Sequence, residues 1–89
     1  MSTYVHVTHP VADYTTWRLV FDEHGTSRKE HGCLSEQVFR AVDDPNTTLV
    51  VMEYPSRAAA EGFLADPSLA DAMGRAGVTA PPTIRLSVD

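Results

Sequence analysis

The side chains best suited to chemistry gather on one stretch near the start of the chain. Tyr14, Trp17, Phe21, His24 and Arg28 recur at helical spacing. At about 100° per residue they share one broad face with Val20. His24 and Arg28 stand four residues apart on that stripe, where apolar side chains would be expected. An apolar wall with a few convergent polar groups suits a small aromatic ligand. In such a site a histidine can move protons and an arginine can steady a developing oxyanion. A plainer reading competes. Aromatic stripes commonly serve only as core, and the end of the helix carrying His24 and Arg28 can turn into solvent.

The remaining titratable groups are more scattered. His6 and His9 lie on one predicted strand, on opposite faces by alternation, so they cannot share one metal ion. His9 falls on the helix-facing side at the strand's end, where it could transfer a proton or simply be a satisfied structural histidine. Glu36, Arg40 and Glu53 have helix-facing parity on the next two strands. A carboxylate in a dry cavity could act as a base, whereas Arg40 could instead pair with Glu53 or Glu36 across the hairpin. His31 ends a helix, where a cation suits the dipole. Cys33 follows that end, where a thiolate is disfavoured. No phosphate-binding glycine loop, metal-ligand spacing or Ser/His/Asp arrangement is present, so neither cofactor nor metal is expected.

These residues need elements to position them. Thr3 to His9 alternates in β-formers and reads as strand one, ended by Pro10. Helix one is predicted from Tyr14 to His31, with Asp13 at its start, Gly25 inside it and Gly32 as its stop. Leu34 to Val42 and Thr47 to Tyr54 read as a hairpin whose turn is Asp43-Asp44-Pro45-Asn46. Ser56 caps a second helix bearing Phe63 and Leu64. Asp66-Pro67 restarts a third, bearing Leu69, Ala72 and Met73, which Gly77 ends. Thr83 to Val88 forms strand four.

The order β-α-β-β-α-β with right-handed crossovers predicts a ferredoxin-like α+β domain over residues 1–89. Its antiparallel sheet has spatial order 4-1-3-2, with the helices on one face. Alternation assigns Val5, Val7, Leu49, Val51, Ile84, Leu86 and Val88 to that face. Tyr4, His6, Gln37, Phe39, Val50, Met52 and Arg85 lie opposite. The second set has no helix of its own chain to cover it, which predicts a homodimer through that face.

Composition narrows the partners. At 89 residues the core is small, and one cysteine allows no internal disulfide, so a second subunit is the ordinary route to added stability. Net charge is −5 and the seven Lys and Arg form no run, which argues against nucleic acid. The N-terminus lacks the features of a secretory signal, and no apolar run is long enough to span a bilayer. A cytoplasmic location is expected.

Val11 to Asp22 (VADYTTWRLVFD), Asp43 to Asn46 (DDPN) and Asp66 to Val78 (DPSLADAMGRAGV), set in this element order, resemble the dimeric α+β barrel superfamily. That group includes antibiotic biosynthesis monooxygenase-like proteins, small polyketide cyclases, haem-degrading monooxygenases and stress-response barrels. The resemblance covers nearly the whole chain. It implies a ligand cavity within each subunit, between helices and sheet. It also implies either a cofactor-free monooxygenase or cyclase acting on a polyketide-like aromatic substrate, or a non-catalytic dimeric ligand-binding or stress-response protein. A purely structural dimer is the third reading. On the enzyme reading His24, Arg28 and His9 are the catalytic candidates. Tyr14, Trp17, Phe21, Arg40, Glu53, Phe63 and Met73 are the candidates for holding a small hydrophobic or aromatic ligand. The haem branch needs an axial histidine, for which His24 and His31 are the available positions.

Overall fold

Three capping side chains set where the helices begin. Asp13 accepts a hydrogen bond from the Thr16 amide at 3.0 Å, Ser56 from Ala59 at 3.1 Å and Asp66 from Ser68 at 2.8 Å. Each satisfies an amide that the first turn leaves without a partner. The computed structural model describes residues Met1–Asp89 as eight elements. In chain order these are β1 (Thr3–Pro10), α1 (Tyr14–Glu23), α2 (Gly25–Glu30), β2 (Ser35–Ala41), β3 (Asp44–Tyr54), α3 (Arg57–Leu64), α4 (Pro67–Arg75) and β4 (Thr83–Val88). Gly32 and Gly77 follow α2 and α4 with φ of 91° and 79°, left-handed stops that a side chain would strain.

The sheet is antiparallel with order β2-β3-β1-β4, as the element order requires. Val5, Val7, Val50, Met52 and Tyr54 of the sheet join Trp17, Ala60 and Phe63 of the helices in the core. No helix is long and apolar enough to cross a membrane.

Three expectations change. The first concerns the single helix expected from Tyr14 to His31, which is broken at His24. Its amide still closes the α1 ladder onto the Val20 carbonyl at 3.0 Å, and its own carbonyl starts α2 by accepting from Ser27 at 3.1 Å. Gly25 makes room at the break, since a Cβ there would stand 3.3 Å from the Arg28 guanidinium.

The second concerns the hairpin. β3 begins at Asp44, so the tight connection is Val42-Asp43. The register slips between Arg40, opposite Thr48, and Ala41, opposite Asp44. Asp44 accepts from the Asn46 amide (3.0 Å) and the Thr47 hydroxyl (2.7 Å), so the expected turn chemistry builds a bulge inside the strand instead.

The third concerns the faces of β3. Directly opposed residues of an antiparallel pair point to the same side. Val5 faces Met52 and Val7 faces Val50, while His6 faces Val51 and Tyr4 faces Glu53. Val50 and Met52 therefore meet the helices, whereas Leu49, Val51 and Glu53 lie on the outer face, the reverse of the expectation. Leu49 to Met52 is apolar at every position, so alternation could not choose the parity, which the pairing with β1 sets. The outer face thus carries Tyr4, His6, Phe39, Leu49 and Val51, with Phe39 50% exposed.

Candidate functional site

One cavity lies between the sheet and the helices. α1 contributes Trp17, Val20 and Phe21, and the break after it contributes His24. Arg28 comes from α2, Phe63 and Leu64 from α3, and Leu69, Ala72 and Met73 from α4. The floor is Val7, His9, Val50 and Met52 from β1 and β3. Of fifteen lining residues twelve are apolar, and the cavity measures about 60 Å³.

The aromatic stripe is both core and wall. The Trp17 and Phe21 rings stack at 4.9 Å, and Trp17 lies 5.7 Å from the His9 ring on its other flank. Trp17 is 4% exposed, so it orders the wall from inside.

His9 is the unusual member. Its side chain is buried, and neither Nδ1 nor Nε2 has a hydrogen-bond partner. Buried polar groups nearly always have one, and an orphan costs about 1–3 kcal/mol. Burial also lowers its pKa below the ordinary 6.5, since an imidazolium there would lose its hydration. At neutral pH the ring is a neutral group with one nitrogen able to accept and one able to donate.

Arg28 is almost wholly buried, yet it is not a free cation. Its Nε lies 2.5 Å and its Nη2 3.3 Å from the two carboxylate oxygens of Glu36, a forked pair. Its guanidinium stacks 3.6 Å over the Phe21 ring. His24 sits at the cavity wall with Nε2 3.0 Å from the Ser68 hydroxyl and its ring 5.9 Å from Phe63. Burial first, then the Arg28 charge, lowers its pKa from 6.5. Nearby, His31 Nε2 lies 2.8 Å from Asp66 Oδ2, and that bond holds the Asp66 carboxyl well below the usual range. These contacts tie the α1–α2 break to the start of α4, which roofs the cavity.

The structure thus brings His9, Trp17, Phe21, His24, Arg28, Phe63 and Met73 together around one space. Three other candidates lie elsewhere. Tyr14 packs 5.7 Å from Trp17 but outside the cavity, under the Arg40 guanidinium at 4.2 Å. Arg40 is held by that ring and pairs with neither Glu36 nor Glu53. Glu53 is on the outer face, where it accepts from the Ser2 and Ser35 hydroxyls. Sequence reasoning missed Met52, because of the β3 parity, and the Glu36–Arg28 pairing, which depends on α2 folding back over β2. The broken helix was the available signal for that pairing: Gly25 three residues before Arg28 frees the end of the helix to turn inward. Cys33 shows a raised pKa from burial, so its thiolate is disfavoured.

The fold recurs in solved structures. A Bordetella bronchiseptica protein described as an antibiotic biosynthesis monooxygenase superposes with a TM-score of 0.84 at 10% identity, covering 99% of this chain and 96% of its own. A Caulobacter crescentus protein of the same description gives 0.78 at 21%, covering 99% and 91%. SnoaB, a cofactor-independent oxygenase from Streptomyces nogalater, gives 0.78 at 16%, also covering 99% and 91%. At such identities these likenesses establish the fold alone. No curated protein matches the chain in sequence. Residues 5–75, which hold every cavity-lining side chain except Ala76, match the sequence pattern of one family directly, and the chain accordingly belongs to the antibiotic biosynthesis monooxygenases.

Proposed function

We propose that this protein is a cofactor-independent monooxygenase for an electron-rich, polyketide-like hydroxylated aromatic compound, acting in the cavity beneath α4. The observation that carries the reading is His9: a neutral, unpartnered imidazole, buried among apolar and aromatic walls. Such a group can take the proton of a ring hydroxyl. The resulting aryloxide is electron-rich enough to reduce dioxygen itself. With a dihydroxyarene the balance closes without another reductant. One oxygen atom is inserted into a ring C–H bond to give a further hydroxyl, two hydroxyl hydrogens leave as the ring becomes a hydroxyquinone, and they depart with the second oxygen atom as water. His9 accepts the first proton and can return it to the departing oxygen. His24 and Arg28 stand at the wall, with Arg28 placed to hold Phe21 rather than to meet a substrate directly.

The working unit in this proposal is a homodimer. Tyr4, Phe39, Leu49 and Val51 leave a mixed apolar face on the sheet that no helix covers. A second copy of the same face would bury it.

The test is oxygen uptake with hydroxylated aromatics under ¹⁸O₂. Incorporation of one labelled atom into a quinone product supports the proposal, with a loss of about 10²–10⁴-fold expected in His9→Ala. Saturable binding with no oxygen uptake would overturn it and favour a dimeric ligand-binding module. Equal rates in wild type and His9→Ala would remove His9 from the chemistry.

A further inference from the structure

We propose that the cavity selects an uncharged arene of one ring bearing a hydroxyl group. The proposal rests on reading this cavity as the substrate site, and three observations carry it. The first is size. On the measure by which one water needs roughly 10–15 Å³, 60 Å³ equals about four to six water-sized positions. An apolar cavity of about 150 Å³ takes up benzene, so 60 Å³ admits a single ring only as its walls give way, and three fused rings do not fit. Sites for larger organic ligands run to about 300 Å³ and beyond.

The second is charge. Among the lining residues only His9, His24 and Arg28 are polar. Arg28 is already matched by both oxygens of Glu36, and its guanidinium face is covered by Phe21. A ligand carboxylate would have to displace Glu36 to find a cation. The His9 ring, neutral through burial, offers it none.

The third is the single polar point. His9 has two ring nitrogens without partners and is 5% exposed. A hydroxyl supplies both a donor and an acceptor, so one ring hydroxyl can satisfy either nitrogen. Trp17, Phe21 and Phe63 give the ring aromatic surroundings.

Trp17 is the only tryptophan in the chain and lines the cavity, so its fluorescence reports occupancy without a label. The experiment titrates the full chain without oxygen against phenol, toluene, 4-hydroxybenzoate and a tricyclic phenol, with calorimetry as a second readout. Phenol is expected to bind about tenfold tighter than toluene, the worth of one hydrogen bond to a buried orphan. It should also bind at least about tenfold tighter than 4-hydroxybenzoate, whose carboxylate would be buried without a partner. In His9→Ala the preference for phenol over toluene should shrink toward unity. If that variant fails to fold, the wild-type ranking still decides. The proposal is overturned if 4-hydroxybenzoate or the tricyclic phenol binds as tightly as phenol, or if phenol does not saturate at all. Oxygen uptake, measured separately on the same compounds and on a one-ring dihydroxyarene, keeps the two readings apart. Tight phenol binding with no turnover of phenol or the dihydroxyarene would sink the oxygenase and spare the selectivity. Turnover of the tricyclic compound alone would do the reverse.

Discussion

Replacing Glu36 by Gln should destabilise the fold more than removing the arginine it neutralises. Arg28 keeps only 3% of its side chain in contact with solvent, while Glu36 keeps 39%. Breaking a fully buried pair from one side costs about 3–5 kcal/mol, because the remaining charge loses both water and partner. Glu36 is partly wet, which lowers the pair's worth, so a loss of about 1–3 kcal/mol is expected for Glu36→Gln. Arg28→Met works the other way. It removes the buried charge, keeps a flexible stem of similar length, and places a sulfur over the Phe21 ring, a contact worth about 0.3–1.5 kcal/mol. Glu36 can then hydrate, so the loss should stay near or below about 1 kcal/mol. The double variant should be no worse than Glu36→Gln alone. Urea unfolding followed by Trp17 fluorescence measures all four proteins at one fixed concentration. With slopes of about 1–3 kcal/mol per molar, a loss of this size moves the midpoint by about 0.3–3 M. An unchanged midpoint in Glu36→Gln, or a larger loss in Arg28→Met, would refute the view that Arg28 is a compensated buried cation.

The outer-face assignment predicts opposite outcomes for neighbouring residues. Val51→Lys should fold and sediment as a monomer, whereas Val50→Lys, at a position only 3% exposed, should lose about 3 kcal/mol or more of stability. His9→Phe removes two unpartnered nitrogens and should raise stability by about 1–2 kcal/mol while abolishing oxygen uptake, read by thermal melting and an oxygen electrode. The pH profile follows from the lowered pKa values of His9 and His24. Below their unfolded value of 6.5 the unfolded chain binds protons that the fold refuses, so stability is complete above 6.5 and declines as the pH falls through the window beneath it. Asp66, also held low, adds a second decline below its ordinary 3.8. Melting curves across pH should show both stages, the first shallower in His9→Phe.

The frame of the molecule was legible because its signals repeat. Capping residues, the Pro and Gly stops and the alternation of β1 each point to one arrangement, and the sheet order follows from right-handed connections. Failures came where a signal was degenerate. Leu49 to Met52 is apolar throughout, so parity could be fixed only by pairing with β1, and Glu53 and Met52 were placed on the wrong sides as a result. The stripe from Trp17 to Arg28 continued at helical spacing across Gly25, and periodicity could not reveal that the helix restarts at His24. At the cavity, side-chain type identified His9, His24 and Arg28 as candidates. It could not distinguish an arginine held by Glu36 from one free to meet a ligand, because that depends on a contact between α2 and β2.

The fold also has to carry the cost of its own site. An imidazole buried beside Trp17 with neither nitrogen bonded destabilises the empty protein, and the apolar pairs around it, Val7 with Val50 and Val5 with Met52, must offset that loss. On the proposed reading a hydroxylated ligand returns part of the cost on binding, since it supplies the missing partner. On that reading the same ring therefore governs stability, affinity and the direction of proton transfer. The three should move together in any variant of His9 and separately in variants of the surrounding wall. Phe63→Leu, which keeps the site apolar but removes an aromatic neighbour of His24, should weaken phenol binding and stability while leaving the preference for phenol over toluene intact. Loss of that preference in Phe63→Leu would mean that selectivity resides in the shape of the wall and not in His9.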